Sequence, residues 1–326
     1  MIIEADLKFF KSAVVSDEVN NGGRMSTNQI ISGVKNNLFA RVTNTQRVSG
    51  MTRYRKEFLK NENSEGLTLE ETLAWINRDT PAEDYILIRA GTNTDTQSDA
   101  TAYTTWKGAG VLDENVTAGV TVEFDAVFPA PTGVYNGDTI HVSDGTNDEF
   151  LVLDSTSGVS WAGSTATLSL AAGESFSVNY AQTVTLVSSC ISLVDVVASS
   201  NNWAETNTHG GTYDESTYPI LVYNAGTVED SITVTFTGAG TFSCAGTNVG
   251  SLGTGTIGGD FQPANGASYY FKLRAAGWAG TWSPGDTVTF DIHHSASPLW
   301  IKEVVPPGCA SYSNNNPSIG VYGESA

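Results

Sequence analysis

The spacing of apolar residues divides this chain near residue 100. Beyond that point, short runs rich in Val, Thr, Ile and Phe alternate with clusters of Gly, Asp, Asn and Ser. That is the pattern of half-buried strands joined by tight turns. "AGVTVEFDAVF", "GDTIHVSDG", "DEFLVLD", "STATLSLA", "ESFSVNYAQTVTLVS" and "ISLVDVV" form one set. A polar break, "ASSNNWAETNTHGGTYDEST", precedes a second: "YPILVYNAG", "DSITVTFTG", "GTFSCAG", "ASYYFKLRAAG", "DTVTFDIHH" and "LWIKEVV". Two such sets predict two small β domains. The closing "PPGCASYSNNNPSIGVYGESA" reads as loop ending in one strand.

Before residue 100 the pattern is weaker. "IIEADLKFFKSAVV" alternates loosely, as a strand or a docking arm, and "NNGGRMS" reads as a turn. Ile30, Ile31, Val34, Leu38 and Phe39 have the spacing of a short helical face, against which Gly33 and the following Asn pair argue. "TRYRKEFLKN" alternates as a strand, with Tyr54, Lys56 and Phe58 on one face and Arg53, Arg55 and Glu57 on the other. "TLEETLAWINRDTP" stays open. Thr68 and Glu71 have capping-box spacing, whereas Trp75-Ile76 followed by "TPAEDYILIRAG" suggests a strand, a turn at Pro81 and a second strand.

Charge sharpens the division. The chain has 326 residues, 16 Lys and Arg, 35 Asp and Glu, and a net charge of -19. Residues 1–89 balance, so residues 90–326 hold the whole excess, and no Lys or Arg occurs between Gly108 and Phe271. Half of the basic residues fall between Asn21 and Asn61, beside one acid, Glu57. A body this acidic repels nucleic-acid phosphate. It reads as a solubility device or as a surface that DNA passes without sticking. The basic stretch is also apolar, which suits docking on an acidic neighbour. In a homo-oligomer that neighbour is the next subunit, and the planar fork of Arg pairs bidentately with carboxylates. Arg24, Arg41, Arg47, Arg53 and Arg55 are therefore expected at a subunit interface.

Candidate chemistry is sparse. Cys190, Cys244 and Cys309 are widely spaced and form neither a disulfide framework nor a zinc pattern. "MIIEADLKFFKSAVV" lacks the basic start and apolar run of a signal peptide, and no run approaches a membrane span. No Ser or Cys carries a nucleophile signature. His141 falls on a strand and His209 in a loop, and adjacent His293 and His294 should face opposite sides of a sheet. Asp144, Asp148 and Glu149 cluster as a calcium ligand set or, as the plainer reading, a solvated turn. Asp138 and Asp286 read as turn residues. "GTNVGSLGTGTIGGD" lacks the Lys of a phosphate cradle and reads as a flexible loop or the turn of a long hairpin. Trp203, Trp278, Trp282 and Trp300 read as core, with a sugar-stacking platform as the alternative.

"NGGRMS", "SGVKNNLF-RVT" and "G-TRYRK-F-KN", with "GDTIHVSDGTNDEF" and the closing "SPGDTVTFDIHHSASPLWIKEVVPPGCASYSNN", resemble structural proteins of tailed bacteriophages. The matching ends cover about half of the chain. The resemblance implies a non-enzymatic, multi-copy component of the neck, collar or tail of a contractile-tailed phage. Such a protein is built into the virion in the host cytoplasm and carries no catalytic residues.

The expected architecture is mainly β: two β-sandwich (Ig-like) domains preceded by an extended N-terminal segment with little helix. Residues 1–90 form the inter-subunit arm, 91–198 the first β domain and 199–326 the second. The expected assembly is a homo-oligomeric ring touching other neck or tail proteins, with no cofactor, no metal, no membrane and no specific nucleic-acid binding. The alternative is a receptor- or carbohydrate-binding module of a phage tail.

Overall fold

The computed structural model describes residues 1–207, 209–313 and 315–326. The protein is mainly β, built from several antiparallel sheets. Among the described residues, α-helix is limited to Asn44–Ser49 and Gln97–Ala102.

The N-terminal stretch is not an extended arm. It is strand from residue 7, and it enters a five-stranded sheet ordered Gly22–Ile30, Leu7–Val14, Met51–Asn61, Ala296–Val305, Tyr85–Ala90. A three-stranded sheet, ordered Ile191–Ser192, Leu69–Arg78, Ser318–Ser325, packs against it. Leu59, Ile86, Ile88, Leu299 and Ile301 from the first sheet meet Leu69, Ala74, Ile76 and Ile191 from the second. The opposite face of the first sheet is covered too, where Leu87 and Trp300 pack with Ala100 and Trp106.

Met51–Asn61 is therefore a central strand buried on both faces, from Arg55 to Asn61 without a break. The alternation in "TRYRKEFLKN" is that of a strand, as expected, but neither face is solvated. Its partner is Ala296–Val305, paired in register from Ala296 opposite Lys60 to Val305 opposite Met51. The ladder accounts for the extended backbone: buried N–H and C=O groups need partners, and a strand on each side supplies them.

The same pairing crosses the expected segment boundaries. The 199–326 span leaves its own sheet at residue 296 and returns to the N-terminal strands. The two ends of the chain build one sandwich, and two further β units are inserted between them.

The first insert is a seven-stranded sheet, ordered Val159–Ala162, Thr165–Ser169, Glu123–Val127, Ala109–Leu112, Leu186–Ser189, Thr139–Ser143, Asp148–Val152. Phe124, Ala126, Ile140, Val142, Leu151, Leu168 and Val187 point into one core. A bridge between Leu153 and Leu170 links chain near opposite edges, so the sheet rolls on itself. The second insert is a five-stranded sheet, ordered Ser199–Thr206, Thr287–His293, Asp230–Phe236, Thr241–Gly246, Gly250–Thr256. Its inner face packs on largely irregular chain carrying Tyr213, Phe261, Phe271, Trp278 and Trp282. The Trp282 ring stacks on Phe236 with centroids 4.2 Å apart. The glycine-rich "GSLGTGT" is the outer strand of a hairpin, paired with Thr241–Gly246.

Two local readings left open by the sequence are decided by backbone conformation. The helical spacing from Ile30 to Phe39 is coincidental. Ile30 ends a strand, and Gly33 (φ 78°) and Asn36 (φ 56°) take left-handed conformations that stop a helix. The helix lies later, at Asn44–Ser49, where Thr43 and Gln46 form the capping box: Thr43 Oγ1 accepts from the Gln46 amide (3.3 Å) and Gln46 Oε1 from the Thr43 amide (2.8 Å). Thr68 and Glu71 form no cap. The Thr68 amide bonds Ala326 O, and Leu69–Arg78 is a strand.

Candidate assembly interface

The five arginines expected at an interface separate into two groups. Arg53 and Arg55 are core residues, 2% and 4% exposed. They do pair with carboxylates, as their chemistry demands, but with carboxylates of their own chain. Arg53 Nε donates to Glu303 Oε2 (2.5 Å) and NH1 to Ala40 O (2.6 Å). Arg55 NH2 meets Asp17 Oδ1 at 2.7 Å, NH1 donates to Ser16 O at 2.7 Å, and Nε donates to Leu38 O at 3.2 Å. The Phe39 ring lies against both guanidinium groups, 5.3 and 5.2 Å from its centroid. These two side chains thus hold the backbone of residues 38–40 to the central strand. Both guanidinium groups are thus directed into their own chain.

Arg47, half-buried at the end of the short helix, donates to Asn44 Oδ1 (3.1 Å), and its carbonyl accepts from the Gly308 amide. Arg24 is exposed and reaches the backbone carbonyl of Glu229 (2.9 Å). Arg41 is exposed and, like Lys35, makes no hydrogen bond or ion pair with any described residue. Both sit on the loop anchored by Arg53 and Arg55. The same loop exposes Ile31 (52%) and Val34 (56%). The structure thus brings Lys35, Arg41, Ile31 and Val34 onto one projecting loop, with Arg53 and Arg55 as its supports.

A surface of opposite character lies on the outer face of the rolled sheet. In Glu123–Val127, Phe124 and Ala126 point inward, leaving Glu123, Asp125 and Val127 outside. Val127 is cross-strand neighbour to Val111, and Asp113 and Glu114 follow the Val111 strand, exposed. This face is acidic with an apolar stripe.

The remaining candidates resolve into structure. Asp144 Oδ1 accepts the Thr146 and Asn147 amides (2.8 and 2.7 Å), Glu149 binds the Ser177 amide, and Asp148 approaches His141 Nε2 (3.4 Å). The three carboxylates do not converge, and no metal-holding group of three His, Cys, Asp or Glu occurs among the described residues. Asp286 caps its turn through the Ser283 amide, as expected. Asp138 does the same for Tyr135 and also pairs with Lys107. His293 and His294 face opposite ways: His293 bonds Glu229 (2.9 Å), while His294 is buried against Phe58. Trp278, Trp282 and Trp300 are core, and Trp203 is half-buried, stacked over Phe290. Of the four rings, Trp203 alone keeps a partly exposed face.

Sequence reasoning missed a buried cluster on the other face of the central strand. The Lys56 side chain is fully buried and its Nζ lies 2.6 Å from Asp95 Oδ1. Trp300 Nε1 (2.8 Å) and Tyr103 Oη (2.9 Å) both donate to Asp95 Oδ2. It also missed Glu57, whose carboxyl is buried with no hydrogen bond to any described residue and whose pKa burial pushes up to about 8. The available signal was charge on both faces of one strand, which is costly unless partners are supplied from elsewhere in the chain. No protein-family model matches this chain, and no curated protein sequence matches it significantly.

Proposed function

We propose that this chain is a non-enzymatic structural subunit of a tailed-phage virion, a multi-copy part of the neck, collar or tail. It assembles as a homo-oligomeric ring, in contact with other virion proteins. The observation that carries this reading is the complementarity of two surfaces on one chain. The projecting loop is basic and apolar, through Lys35, Arg41, Ile31 and Val34. The outer face of the rolled sheet is acidic and apolar, through Glu123, Asp113, Val111 and Val127. Different patches meeting head to tail form a heterologous contact, which closes into a ring when the rotation permits. The phage-like phrases at both ends of the sequence agree with this use, as does the acidic body, which repels DNA instead of binding it. The two inserted units are read as sandwich-type, Ig-like modules, the second with a largely irregular second layer.

In this proposal Arg41, with Lys35, contacts the neighbour, and Arg24 flanks the contact. Arg47, Arg53 and Arg55 act by shaping the loop. The test is molar mass by light scattering at low and high salt. A discrete oligomer that loosens with salt, and that is lost in the Lys35→Glu/Arg41→Glu variant while the monomer stays folded, supports the reading. An oligomer indifferent to both salt and that variant overturns the docking model, and a monomer under all conditions overturns the ring.

A further inference from the structure

We propose that Lys56 and Asp95 condense, within the folded chain, into an isopeptide bond. Nothing in the assembly reading requires this. It rests on the geometry of the buried cluster alone.

The two oxygens of Asp95 are held differently. Oδ2 accepts from Trp300 Nε1 and Tyr103 Oη at 2.8 and 2.9 Å. Oδ1 is buried and receives no hydrogen bond, although Lys56 Nζ lies only 2.6 Å away. The pair is thus in close ionic contact, with Lys56 Nζ within reach of the carboxyl carbon's own oxygen and no other donor on Oδ1. The Nζ hydrogens are directed elsewhere, to Gly23 O (2.7 Å) and Asp95 O (3.1 Å). Phe58 and Trp300 rings line the approach, 4.9 and 5.9 Å from Nζ. The side chains are 0% and 5% exposed, so little water reaches the pair.

The chemistry balances without any co-reactant. One proton passes from the ammonium to Oδ1, leaving a neutral amine and a carboxylic acid. In a dry site the neutral pair competes with the ion pair, and burial already holds the Lys56 pKa below the ordinary lysine value despite Asp95. The amine lone pair attacks Cγ, and negative charge gathers on Oδ2, where the Trp300 N–H and Tyr103 O–H stabilise it as an oxyanion hole does. A second proton moves from nitrogen to the Oδ1 hydroxyl, the Cγ–Oδ1 bond breaks, and water leaves. The open depression lined by Thr92, Thr94, Asp95, Asp99, Ala102 and Tyr103 gives it an exit. The product fits the same site: the amide carbonyl keeps both donors on Oδ2, and the amide N–H has Gly23 O as acceptor. Fixed proximity replaces the activation that amide formation needs in solution.

The other close Lys–Asp pair serves as an internal control. Lys107 pairs with Asp138, but its side chain is 19% exposed, so water reaches the pair and it should remain an ion pair.

The test is the intact mass of the purified full chain under denaturing conditions, followed by proteolytic peptide mapping. The expected wild-type mass is lower than the sequence mass by one water, with a branched peptide joining Lys56 to Asp95. Lys56→Arg and Asp95→Ala should show no loss. Asp95→Asn should lose ammonia instead and reach the wild-type product mass. A wild-type chain at full sequence mass overturns the proposal. So does a water loss that maps to any other residue, Lys107 and Asp138 included.

Discussion

Glu57→Gln should change how the stability of this protein depends on pH. The Glu57 carboxyl is 5% exposed, and burial pushes its pKa from the ordinary 4.5 to about 8. In the folded chain it is protonated at neutral pH, whereas in the unfolded chain it ionises above pH 4.5. Folding must then take up a proton. The contribution of this group is complete below the unfolded pKa and is lost as pH rises toward the folded one. The slope is about -1.4 kcal/mol per pH unit, because the native state binds one proton more than the unfolded state. Between pH 5 and 7.5 the wild type should lose roughly 3 kcal/mol that the Gln variant keeps. The amide is nearly isosteric, but its buried donors add a pH-independent cost of about 1–3 kcal/mol. The signal is therefore the difference in slope, not the absolute stability. Urea unfolding followed by tryptophan fluorescence at several pH values measures it, since Trp75 and Trp300 lie in the same sandwich. Other groups titrate in this range, Asp79 among them at about 6, but they do so in both proteins and cancel in the difference. Parallel stability curves for wild type and variant would refute the argument.

Three further predictions follow from the packing. Arg53→Met leaves the Glu303 carboxylate buried without its partner, so stability should fall by about 3–5 kcal/mol, and Glu303→Leu in the same chain should restore most of it. A double-mutant unfolding cycle tests this, and no recovery in the double variant would count against a self-contained pair. Gly211→Ala places a Cβ 2.3 Å from the Trp282 ring, which is stacked on Phe236 and cannot yield, so a loss of about 1–3 kcal/mol is expected in thermal unfolding. Lys35→Glu and Arg41→Glu touch no described polar partner and should change monomer stability by less than about 0.5 kcal/mol; a larger loss would show that the loop depends on them.

The β content was legible because it is written locally. "DSITVTFTG" and "DTVTFDIHH" alternate between core and outside, and Gly, Asp and Asn mark their ends. The strand at Met51–Asn61 was equally legible as a strand. Its surroundings were not, because charges on both faces suggest solvent when the sequence is read locally. Here Arg53 meets Glu303 across a separation of 250 residues, and Lys56 meets Asp95 across 39. Periodicity carries no information about such distant partners. The same locality hides the fact that Arg53 and Arg55 find their acids, Glu303 and Asp17, within the chain. Arg41 and Lys35 gave no local sign of differing from Arg53 and Arg55. The difference is that Gly33 and Asn36 turn the chain outward before Leu38 and Phe39 bring it back to the core.

Placing Ala296–Val305 between Met51–Asn61 and Tyr85–Ala90 has a consequence in time. During synthesis the central strand leaves the ribosome long before the strand that must lie beside it. At about 5–20 residues per second, the 234 residues between Asn61 and Ala296 take roughly 10–50 s to make. The first inserted unit can fold in that interval, whereas the second receives its inner strand, Thr287–His293, only just before Ala296. Meanwhile Arg53 waits without Glu303, and the facing edges of Met51–Asn61 and Tyr85–Ala90 stay open. The last strand to arrive then supplies Glu303 to Arg53 and the Trp300 donor to Asp95 in one step. A chain cut short before it cannot close the sandwich and leaves Arg53, which holds the Ala40 carbonyl of the loop, without Glu303.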